Sequence, residues 1–281
     1  MTESQISTHT GFSHLHDLPC LVLRRGKATA VVSLYGAQIL SYRPDNGPDL
    51  LWLSPLANWH NGSAIRGGIP ICWPWFGPAD KRLASDADKL PNHGVVRNRM
   101  WQLSEQCCDE TKVSITLSLT LSDLPQTTSK VTVNLKVSLS DQLTIKLYCD
   151  NELLQQAALH SYFAIDDISQ VKVHPLPPVY QDKLLNALVE VQHTESGFSA
   201  ETDRIYADTA DKLNISAPKA GITLQQDGHD ATVVWNPWIE KSQKTVDLTD
   251  DSYQSFVCVE TAKLQLDKPA PLNLVQIISR S

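Results

Sequence analysis

The feature that most constrains the fold of this chain is a strict alternation of apolar and polar residues between positions 113 and 147. In the stretch KVSITLSLTL, apolar side chains occupy every second position from Val113 to Leu121, and the same spacing continues through VTVNLKVSL and LTIKLYC. Successive side chains of a β-strand point to opposite faces of its sheet, so this period predicts half-buried strands. Because only short polar connectors separate the three runs, they predict an antiparallel meander.

Less regular alternation recurs along the rest of the chain, and helix signals are few. The other strand-like runs are CLVLR, ATAVVSL, QILSY, GITLQ, ATVVWN, QSFVCVE and LVQIIS. The stretch NELLQQAALH has a helical composition but continues into an apolar aromatic run, so it is either a short helix or a further strand. The sequence contains no glycine-rich phosphate loop and no alternation of strands with helices. The predicted fold class is therefore all-β, a large antiparallel sandwich of two sheets.

The domain organisation predicted from the sequence is a single β-sandwich domain over residues 20–281, preceded by a flexible N-terminal tail over residues 1–19. No break in composition divides the chain, and the proline-rich stretch HPLPPVYQDKLLN at 174–186 is interpreted as a surface excursion within one fold. The tail is polar and contains His14 and His16, but no third ligand follows at a spacing typical of zinc sites. We therefore expect no metal site there.

Charge and composition argue against several classes of partner. The formal net charge of -7 argues against nucleic acid and anionic membranes as partners. The six cysteines are scattered without a C-x-x-C pair. The N-terminal residues lack the basic and apolar regions of a signal peptide, and no stretch approaches the roughly 20 apolar residues that span a bilayer. We expect a cytoplasmic protein and, since no heptad pattern indicates an assembly, a monomer.

Chemistry is expected where the strand alternation breaks, and the most unusual break is RGGIPICWPWFGP at 66–78. This loop combines Arg66 and a glycine pair with three prolines and three large aromatic residues. A guanidinium group beside glycine backbone N–H groups is suited to binding an anion such as phosphate. The aromatic residues could pack against the apolar face of a sugar, or could simply belong to the core, and Arg66 could be an ordinary surface cation.

Three further breaks contain titratable side chains: NHGVVRNRMW at 92–101, LHSYF at 159–163 and VCVE at 257–260. Taken alone, His93 is compatible with a solvated loop residue, and His160 with a histidine buried in the core. Glu260 is more informative, because strand alternation places it on the same face as Phe256 and Cys258. A carboxylate on an apolar face must either be paired or lie at the rim of a pocket.

Five blocks of the sequence together resemble one known family. IRGGIPICWPWFGP, HGVVRNRMW, HSYF, TDRIY and FVCVET, in this order and at these separations, are similar to the aldose 1-epimerase (galactose mutarotase) superfamily, and within it to the hexose-6-phosphate mutarotase, or glucose-6-phosphate 1-epimerase, branch. The similarity extends from about residue 20 to residue 279. It implies a galactose mutarotase-like β-supersandwich that interconverts the α and β anomers of a phosphorylated hexose without a metal or organic cofactor.

The resemblance also implies roles for individual residues. His160 matches the general acid of the family and Glu260 the general base, while His93 matches a second histidine that holds and polarises the sugar ring. Carboxyl and imidazole groups are suited to these roles, since their pKa values lie close enough to neutrality to be adjusted by the site. Ring opening requires one base to take the proton of the anomeric hydroxyl and one acid to protonate the ring oxygen.

Three further positions match residues that bind substrate in the family. Arg66 and Arg97 match positions that hold the phosphate, and Asp203 matches a position that contacts sugar hydroxyls. The chain departs from the family pattern at Ser161, where threonine is more usual, and in the longer charged segment 79–90, which bears on substrate preference. Two alternatives remain open at this point: a mutarotase of free aldoses, and a non-catalytic sugar-binding or sensing module.

Overall fold

A computed structural model of the protein describes residues 4–45, 47–218 and 221–281. About half of these residues form strands. In chain order the strands are β1 (Ser4–Phe12), β2 (Leu15–Arg25), β3 (Ala28–Ser33), β4 (Ile39–Arg43), β5 (Ile71–Cys72), β6 (Gln102–Cys108), β7 (Val113–Leu121), β8 (Val131–Leu139), β9 (Leu143–Leu153), β10 (Ala157–Leu159), β11 (Tyr162–Ala164), β12 (Lys172–His174), β13 (Val179–Asp182), β14 (Ala187–Glu190), β15 (Thr202–Ala207), β16 (Lys212–Ser216), β17 (Ile222–Asp227), β18 (Ala231–Asn236), β19 (Phe256–Lys263) and β20 (Ala270–Arg280).

Helical structure in the described ranges is limited to short segments. The α-helix α1 spans Trp238–Lys244, and single turns of 3-10 helix occupy His60–Gly62, Ala87–Lys89, Ile168–Gln170 and Ser252–Gln254. No helix in these ranges is long and apolar enough to cross a lipid bilayer.

The strands form three antiparallel sheets within the described residues. The N-terminal sheet has the order β1-β2-β3-β4. The second sheet has the order β14-β13-β15-β18-β19-β10-β5, with β11 also paired to β19, and the third sheet has the order β12-β16-β17-β20-β9-β8-β7-β6. The all-β sandwich predicted from the sequence is therefore confirmed, with the four-stranded N-terminal sheet as an addition to the two large ones.

The predicted meander forms the centre of the third sheet. β7, β8 and β9 pair in antiparallel register, with Leu117 opposite Leu135 and Leu135 opposite Leu147. Every second residue of β8 is buried, which is the result that its alternating sequence predicts. The buried face of this sheet joins the main hydrophobic core of the molecule, and β2 and β3 of the N-terminal sheet pack near β7 and β8.

The N-terminal segment differs from the prediction of a flexible tail over residues 1–19. Residues 4–19 form β1 and the first part of β2, which pair from Ser4 opposite Arg25 to Phe12 opposite Leu15. The prediction was wrong there because side chains of β1 are exposed or only half-buried, so its sequence carries no hydrophobic period. Backbone hydrogen bonds to β2 hold this strand, and such bonds leave little trace in composition.

Two local predictions are also decided. The ambiguous stretch NELLQQAALH forms the end of β9 and the short strand β10, so it is extended rather than helical. The proline-rich stretch at 174–186 includes β13, which forms a hairpin with β14 at the edge of the second sheet. The turn of that hairpin, residues 183–186, is exposed.

Candidate active site

A cavity of about 340 Å³ lies on the outer face of the second sheet, the face turned away from the main core. Its floor comes from neighbouring strands. In the sheet register Asp203 of β15 is opposite Trp235 of β18, and Val233 of β18 is opposite Glu260 of β19. All four residues line the cavity. Alternation along β19 sends Val259 in the other direction, into the main core.

Five of the six site residues predicted from the sequence line this cavity, and they come from distant parts of the chain. They are Arg66, His93, His160, Asp203 and Glu260. The long separations in sequence are closed by strand pairing, since β10 and β11 on either side of His160 both pair with β19, which contains Glu260. The sixth residue, Arg97, is not part of the wall.

The centre of the site is a contact between an imidazole and a carboxyl group. Nε2 of His160 lies 3.3 Å from Oε1 of Glu260, and the side chains are 12% and 1% exposed respectively. Nδ1 of His160 and Oε2 of Glu260 are buried and have no hydrogen-bond partner among the described residues. Buried polar atoms are normally paired, so these two atoms are available to the hydroxyl groups of a ligand.

Burial shifts the protonation of this pair in opposite directions. It raises the pKa of Glu260 well above its ordinary value, and the charge of Asp203 acts in the same sense. Burial likewise lowers the pKa of His160 well below its ordinary value, and the nearby His93, Arg66 and Arg97 add to this shift. Both effects disfavour the charged forms, so the resting pair is neutral and the carboxyl group holds the proton that lies between the two side chains.

Aromatic rings hold the imidazole of His160 in place. The ring of Tyr162 stacks on it with centroids 5.0 Å apart and an angle of 12° between the planes, and Trp235 meets it edge-on at 6.1 Å. The backbone N–H of His160 donates to the carbonyl of Pro70 at 3.0 Å. The loop at 66–78 therefore fixes the backbone of the imidazole residue, whereas the sheet provides its stacking partners.

His93 is held by an unusual backbone conformation. Its φ angle is 65°, and that of the following Gly94 is 78°. A Cβ atom at Gly94 would lie 1.9 Å from the carbonyl oxygen of Trp73, so only glycine fits there. The backbone N–H of Gly77 donates to Nδ1 of His93 at 3.2 Å, which leaves Nε2–H as the ring donor. Burial and the charge of Arg97 lower the pKa of His93 to about 3.

Arg66 is anchored on one side of the cavity. Its Nε donates to Oδ1 of Asp247 at 3.1 Å, and one terminal nitrogen donates to the hydroxyl of Tyr162 at 3.0 Å. The guanidinium group therefore also braces the ring that stacks on His160. The second terminal nitrogen keeps hydrogen-bonding capacity for an anion.

The glycine pair beside Arg66 has a different role from the anion-binding backbone that the sequence suggested. A Cβ atom at Gly68 would lie 2.1 Å from the carbonyl oxygen of Ile39, and its own N–H donates to the carbonyl of Trp52. The pair therefore packs against neighbouring backbone and does not line the cavity. Of the aromatic residues in the loop, Trp73 and Trp75 are buried in the core and Phe76 lines the cavity.

Arg97 lies beside the cavity wall. One of its terminal nitrogens donates to the carbonyl of Asn92 at 3.0 Å, and Asn92 itself lines the cavity. Its charge lowers the pKa of His93. Arg97 therefore does not line the cavity, and it acts on the site through Asn92 and through its electrostatic field.

Sequence reasoning missed two cations of the cavity wall, Lys183 and Lys241. Lys241 of α1 forms an ion pair with Glu201 at 2.6 Å. Lys183, in the exposed turn after β13, has no ion pair or side-chain hydrogen bond within the described part of the chain. No local signal marks either lysine, because only the pairing of β13 with β15 brings that turn to the cavity.

The geometry has no arrangement suited to a metal ion, since no group of three or more metal-ligating side chains occurs in ranges 4–45, 47–218 and 221–281. What it does present is a polar cavity on a β-sandwich, with an imidazole–carboxyl pair, a second histidine donor and several cations.

This fold and site define a mutarotase-like class of protein. A galactose 1-epimerase from Lactobacillus acidophilus shares the fold, with a TM-score of 0.71 at 12% identity over 100% of this chain and 99% of that one. A sequence profile for aldose 1-epimerase matches residues 19–269. The chain belongs to the aldose 1-epimerase family, and it is an isomerase of the epimerase type.

Proteins with higher sequence identity to this chain support the same family assignment. A protein of Escherichia coli K12 with the name "Putative glucose-6-phosphate 1-epimerase" is 34% identical, over 95% of this chain and 93% of its own length. A protein of Salmonella typhimurium with the same name is 33% identical, over 94% and 91%. The crystal structure of a "putative mutarotase" from Salmonella typhimurium superposes with a TM-score of 0.87 at 30% identity, covering 98% of this chain and 97% of that one.

Proposed function

We propose that this protein interconverts the α and β anomers of a hexose 6-phosphate, with glucose 6-phosphate as the substrate to test first. The observation that carries the proposal is the contact of His160 with Glu260 at 3.3 Å, at a cavity that Arg66 and Lys183 also line. His160 and Glu260 supply an acid and a base, and the positive charges of Arg66 and Lys183 are complementary to a phosphate. The names of the related bacterial proteins agree with this substrate.

The proposed reaction begins with the transfer of one proton within the pair. The reactive form has Glu260 as carboxylate and His160 as imidazolium, and it differs from the neutral pair only by movement of a proton from the carboxyl to the imidazole. Glu260 then takes the proton of the C1 hydroxyl while His160 protonates the ring oxygen, and the bond between C1 and the ring oxygen breaks. General acid and base assistance of this kind is worth about 10² to 10⁴ in rate.

The open aldehyde then rotates about the bond between C1 and C2 and the ring closes on the other face of C1. In the closing step the ring oxygen returns its proton to His160, and the new C1 hydroxyl regains a proton from Glu260. Atoms and charge balance over the cycle, and both side chains finish in their starting states. In this scheme Nε2–H of His93 donates to a sugar oxygen, and Asp203 accepts from a sugar hydroxyl.

The distribution of positive charge around the cavity supports a phosphate site on one side of it. Arg66 keeps one terminal nitrogen free of the hydrogen bonds that anchor it, and Lys183 has no competing carboxylate partner among the described residues. We assign these two residues to the phosphate, in a charge-assisted arrangement suited to its oxygens. Arg97 contributes through the field that it adds to this side of the cavity.

The test is an NMR exchange measurement of the anomers of glucose 6-phosphate, with glucose compared under the same conditions. The wild-type protein should accelerate exchange of the phosphate ester, and His160→Ala and Glu260→Gln should each lose about 10² to 10⁴ of that rate. His174→Ala, a distant histidine on β12, is the matched control and should retain full activity. Circular dichroism checks that each variant folds.

Each alternative has its own outcome in this experiment. Equal acceleration of glucose and glucose 6-phosphate would indicate a mutarotase of free aldoses and would remove the assignment of the phosphate site. Binding of glucose 6-phosphate without faster exchange would indicate a sugar-binding or sensing module, and the roles of His160 and Glu260 would then be rejected.

A further inference from the structure

A short row of polar side chains crosses the apolar space between the second and third sheets. On β20, Gln276 points inward between Leu274 and Ile278. On β19, Thr261 lies on the same inward face as Val259, two positions further along the strand. Burying an amide among apolar side chains costs free energy unless its donors and acceptors are satisfied. The partners of Gln276 are therefore informative about its role.

The amide of Gln276 joins two residues of the opposite sheet. The hydroxyl of Ser161 donates to Oε1 of Gln276 at 2.6 Å, and Nε2 of Gln276 donates to Oγ1 of Thr261 at 2.9 Å. All three residues are 0% exposed. One side chain of the third sheet thus binds two separate segments of the second sheet from behind.

The row continues beyond Thr261 and is satisfied there. The hydroxyl of Thr261 donates to Oε1 of Gln226 at 3.1 Å, and Nε2 of Gln226 donates to Oγ1 of Thr232 at 2.9 Å and to the carbonyl of Ala210 at 3.1 Å. Gln226 is the cross-strand neighbour of Gln276, and Thr232 is the neighbour of Thr261. Hydrogen bonds that follow one another in this way polarise and stiffen the row.

The two residues that Gln276 joins have a specific place in the chain. Ser161 directly follows His160, and Thr261 directly follows Glu260. His160 and Glu260 line the cavity, whereas the side chains of Ser161 and Thr261 bind Gln276 on the side of the core. The backbone N–H of Val259 also donates to the carbonyl of Ser161, which joins the same two segments.

We propose that Gln276 is a positioning residue for the reaction, which sets the separation of the imidazole of His160 from the carboxyl of Glu260 through Ser161 and Thr261. The inference rests on the acid and base roles proposed above for that pair. The reaction needs an acid and a base at opposite sides of one sugar ring, and a displacement of about 1 Å in such an arrangement can cost about 10²-fold in rate. Gln276 itself touches no substrate.

The test replaces the amide with a side chain of similar shape, Gln276→Met, and measures anomer exchange of glucose 6-phosphate as a function of substrate concentration and pH. We expect kcat to fall about 10- to 100-fold with little change in KM, since the phosphate and hydroxyl contacts remain in place. We also expect the pH profile of kcat to shift, because the pKa values of the two groups depend on the distance between them.

The matched control is Gln155→Met. Gln155 is also a buried glutamine with hydrogen-bonded partners, the indole N–H of Trp73 and the carbonyls of Ala270 and Asn151, but it has no hydrogen bond to Ser161 or Thr261. Its replacement should cost comparable stability and leave kcat and the pH profile close to those of the wild type. If Gln276→Met lowers kcat no more than this control does, the positioning role is rejected.

Smaller changes keep the test decisive if Gln276→Met does not fold. Ser161→Ala removes one end of the bridge and should lower kcat, whereas Ser161→Thr keeps the hydroxyl and should restore it. Equal activity of the two variants would contradict the proposal. His160→Ala and Glu260→Gln distinguish failure of the proposed function from failure of the positioning role. If these two variants remain active, the acid and base roles are wrong. If they are inactive while the Ser161 and Gln276 variants remain active, only the positioning role is rejected.

Discussion

The backbone N–H of Gly77 donates a hydrogen bond to Nδ1 of His93 at 3.2 Å, while the N–H of His93 donates to the carbonyl of Gly77 at 2.8 Å. This reciprocal pair joins the loop at 66–78 to the turn that contains His93. Because Nδ1 is occupied as an acceptor, the neutral ring presents Nε2–H as a donor, and protonation of the ring would break the contact with Gly77.

The lowered pKa of His93 predicts a specific pH dependence of stability. The pKa lies near 6.5 in the unfolded chain and at about 3 in the folded protein, so between these values the unfolded state binds more protons. The contribution of His93 to the free energy of unfolding is therefore complete above pH 6.5 and is lost as the pH falls toward 3, by at most about 1.4 kcal/mol per pH unit.

This prediction is checked by denaturant unfolding of the wild type and His93→Gln between pH 7 and pH 4. The difference in free energy of unfolding between the two proteins should shrink as the pH falls, because glutamine does not titrate. His174→Gln, at a half-buried site on β12, is the control for the loss of a histidine away from the cavity. A difference that stays constant with pH would mean that His93 titrates normally in the folded protein.

Glu260→Gln should separate activity from stability. Burial raises the pKa of Glu260 above its unfolded value, so the folded state holds the proton more tightly and the protein loses stability as the pH rises through the interval between the two values. Glutamine removes this loss. The variant should therefore lose about 10² to 10⁴ in kcat but gain stability relative to the wild type as the pH is raised from 4.5.

The measurement is thermal unfolding at several pH values together with the exchange assay. Glu105→Gln, on the exposed strand β6, is the control for the loss of a carboxyl group away from the cavity and should retain exchange activity. If the stability of Glu260→Gln relative to the wild type did not increase as the pH is raised, the proposed neutral state of the carboxyl group would be wrong.

Lys183→Gln should weaken the binding of phosphorylated sugars specifically. Lys183 lines the cavity from the exposed turn between β13 and β14, and a charge-assisted hydrogen bond from it to phosphate is worth about 1.4 kcal/mol, or tenfold in affinity. We expect KM for glucose 6-phosphate to rise about tenfold with little change in kcat, and the effect to diminish at high salt.

The comparison variant is Lys130→Gln, which removes an exposed lysine of the loop between β7 and β8 that is not part of the cavity wall. It has the same change of net charge and should leave KM unaltered. Similar KM values for the two variants would show that the phosphate is held elsewhere in the cavity.

Gly94→Ala should damage the site through the backbone. The left-handed φ of Gly94 alone costs a residue with a side chain about 1 to 3 kcal/mol. The added methyl group would also overlap the carbonyl oxygen of Trp73. We expect loss of thermal stability and of activity together, since the turn that contains His93 must move.

Gly62→Ala separates these two costs. Gly62 has a similar φ of 76°, but a Cβ atom there would meet no other atom within 4 Å. It should therefore show only the conformational cost and retain activity. Equal loss of stability in the two glycine variants would show that the contact of Gly94 with Trp73 relaxes freely.

The fold was predictable where sequence period and burial coincide. The alternation in β7, β8 and β9 identified the strands and their buried faces, and the placement of Phe256, Cys258 and Glu260 on one face of β19 is confirmed. The strand β1 was missed because it is held by backbone pairing at the edge of a sheet and has no buried stripe.

The candidate site was predictable only in part, and the misses share a physical cause. Motif resemblance identified the residues that line the cavity from the loops and from β19. Its assignment of Arg97 to the phosphate stays a prediction, and that side chain donates to the carbonyl of Asn92 beside the cavity wall. Lys183 and Gln276 have no local signature. Their neighbours in space come from strand pairing and sheet packing.

By itself, the sequence determined that the chain is built of antiparallel strands and which face of each strand is buried, because side-chain alternation is a local property of extended backbone. The tertiary structure decided which side chains meet. Strand order and register join β10, β11 and β19 and bring His160 within 3.3 Å of Glu260, across a separation of 100 positions in the chain (260 − 160). Those contacts depend on long-range pairing and packing, which no short stretch of sequence encodes.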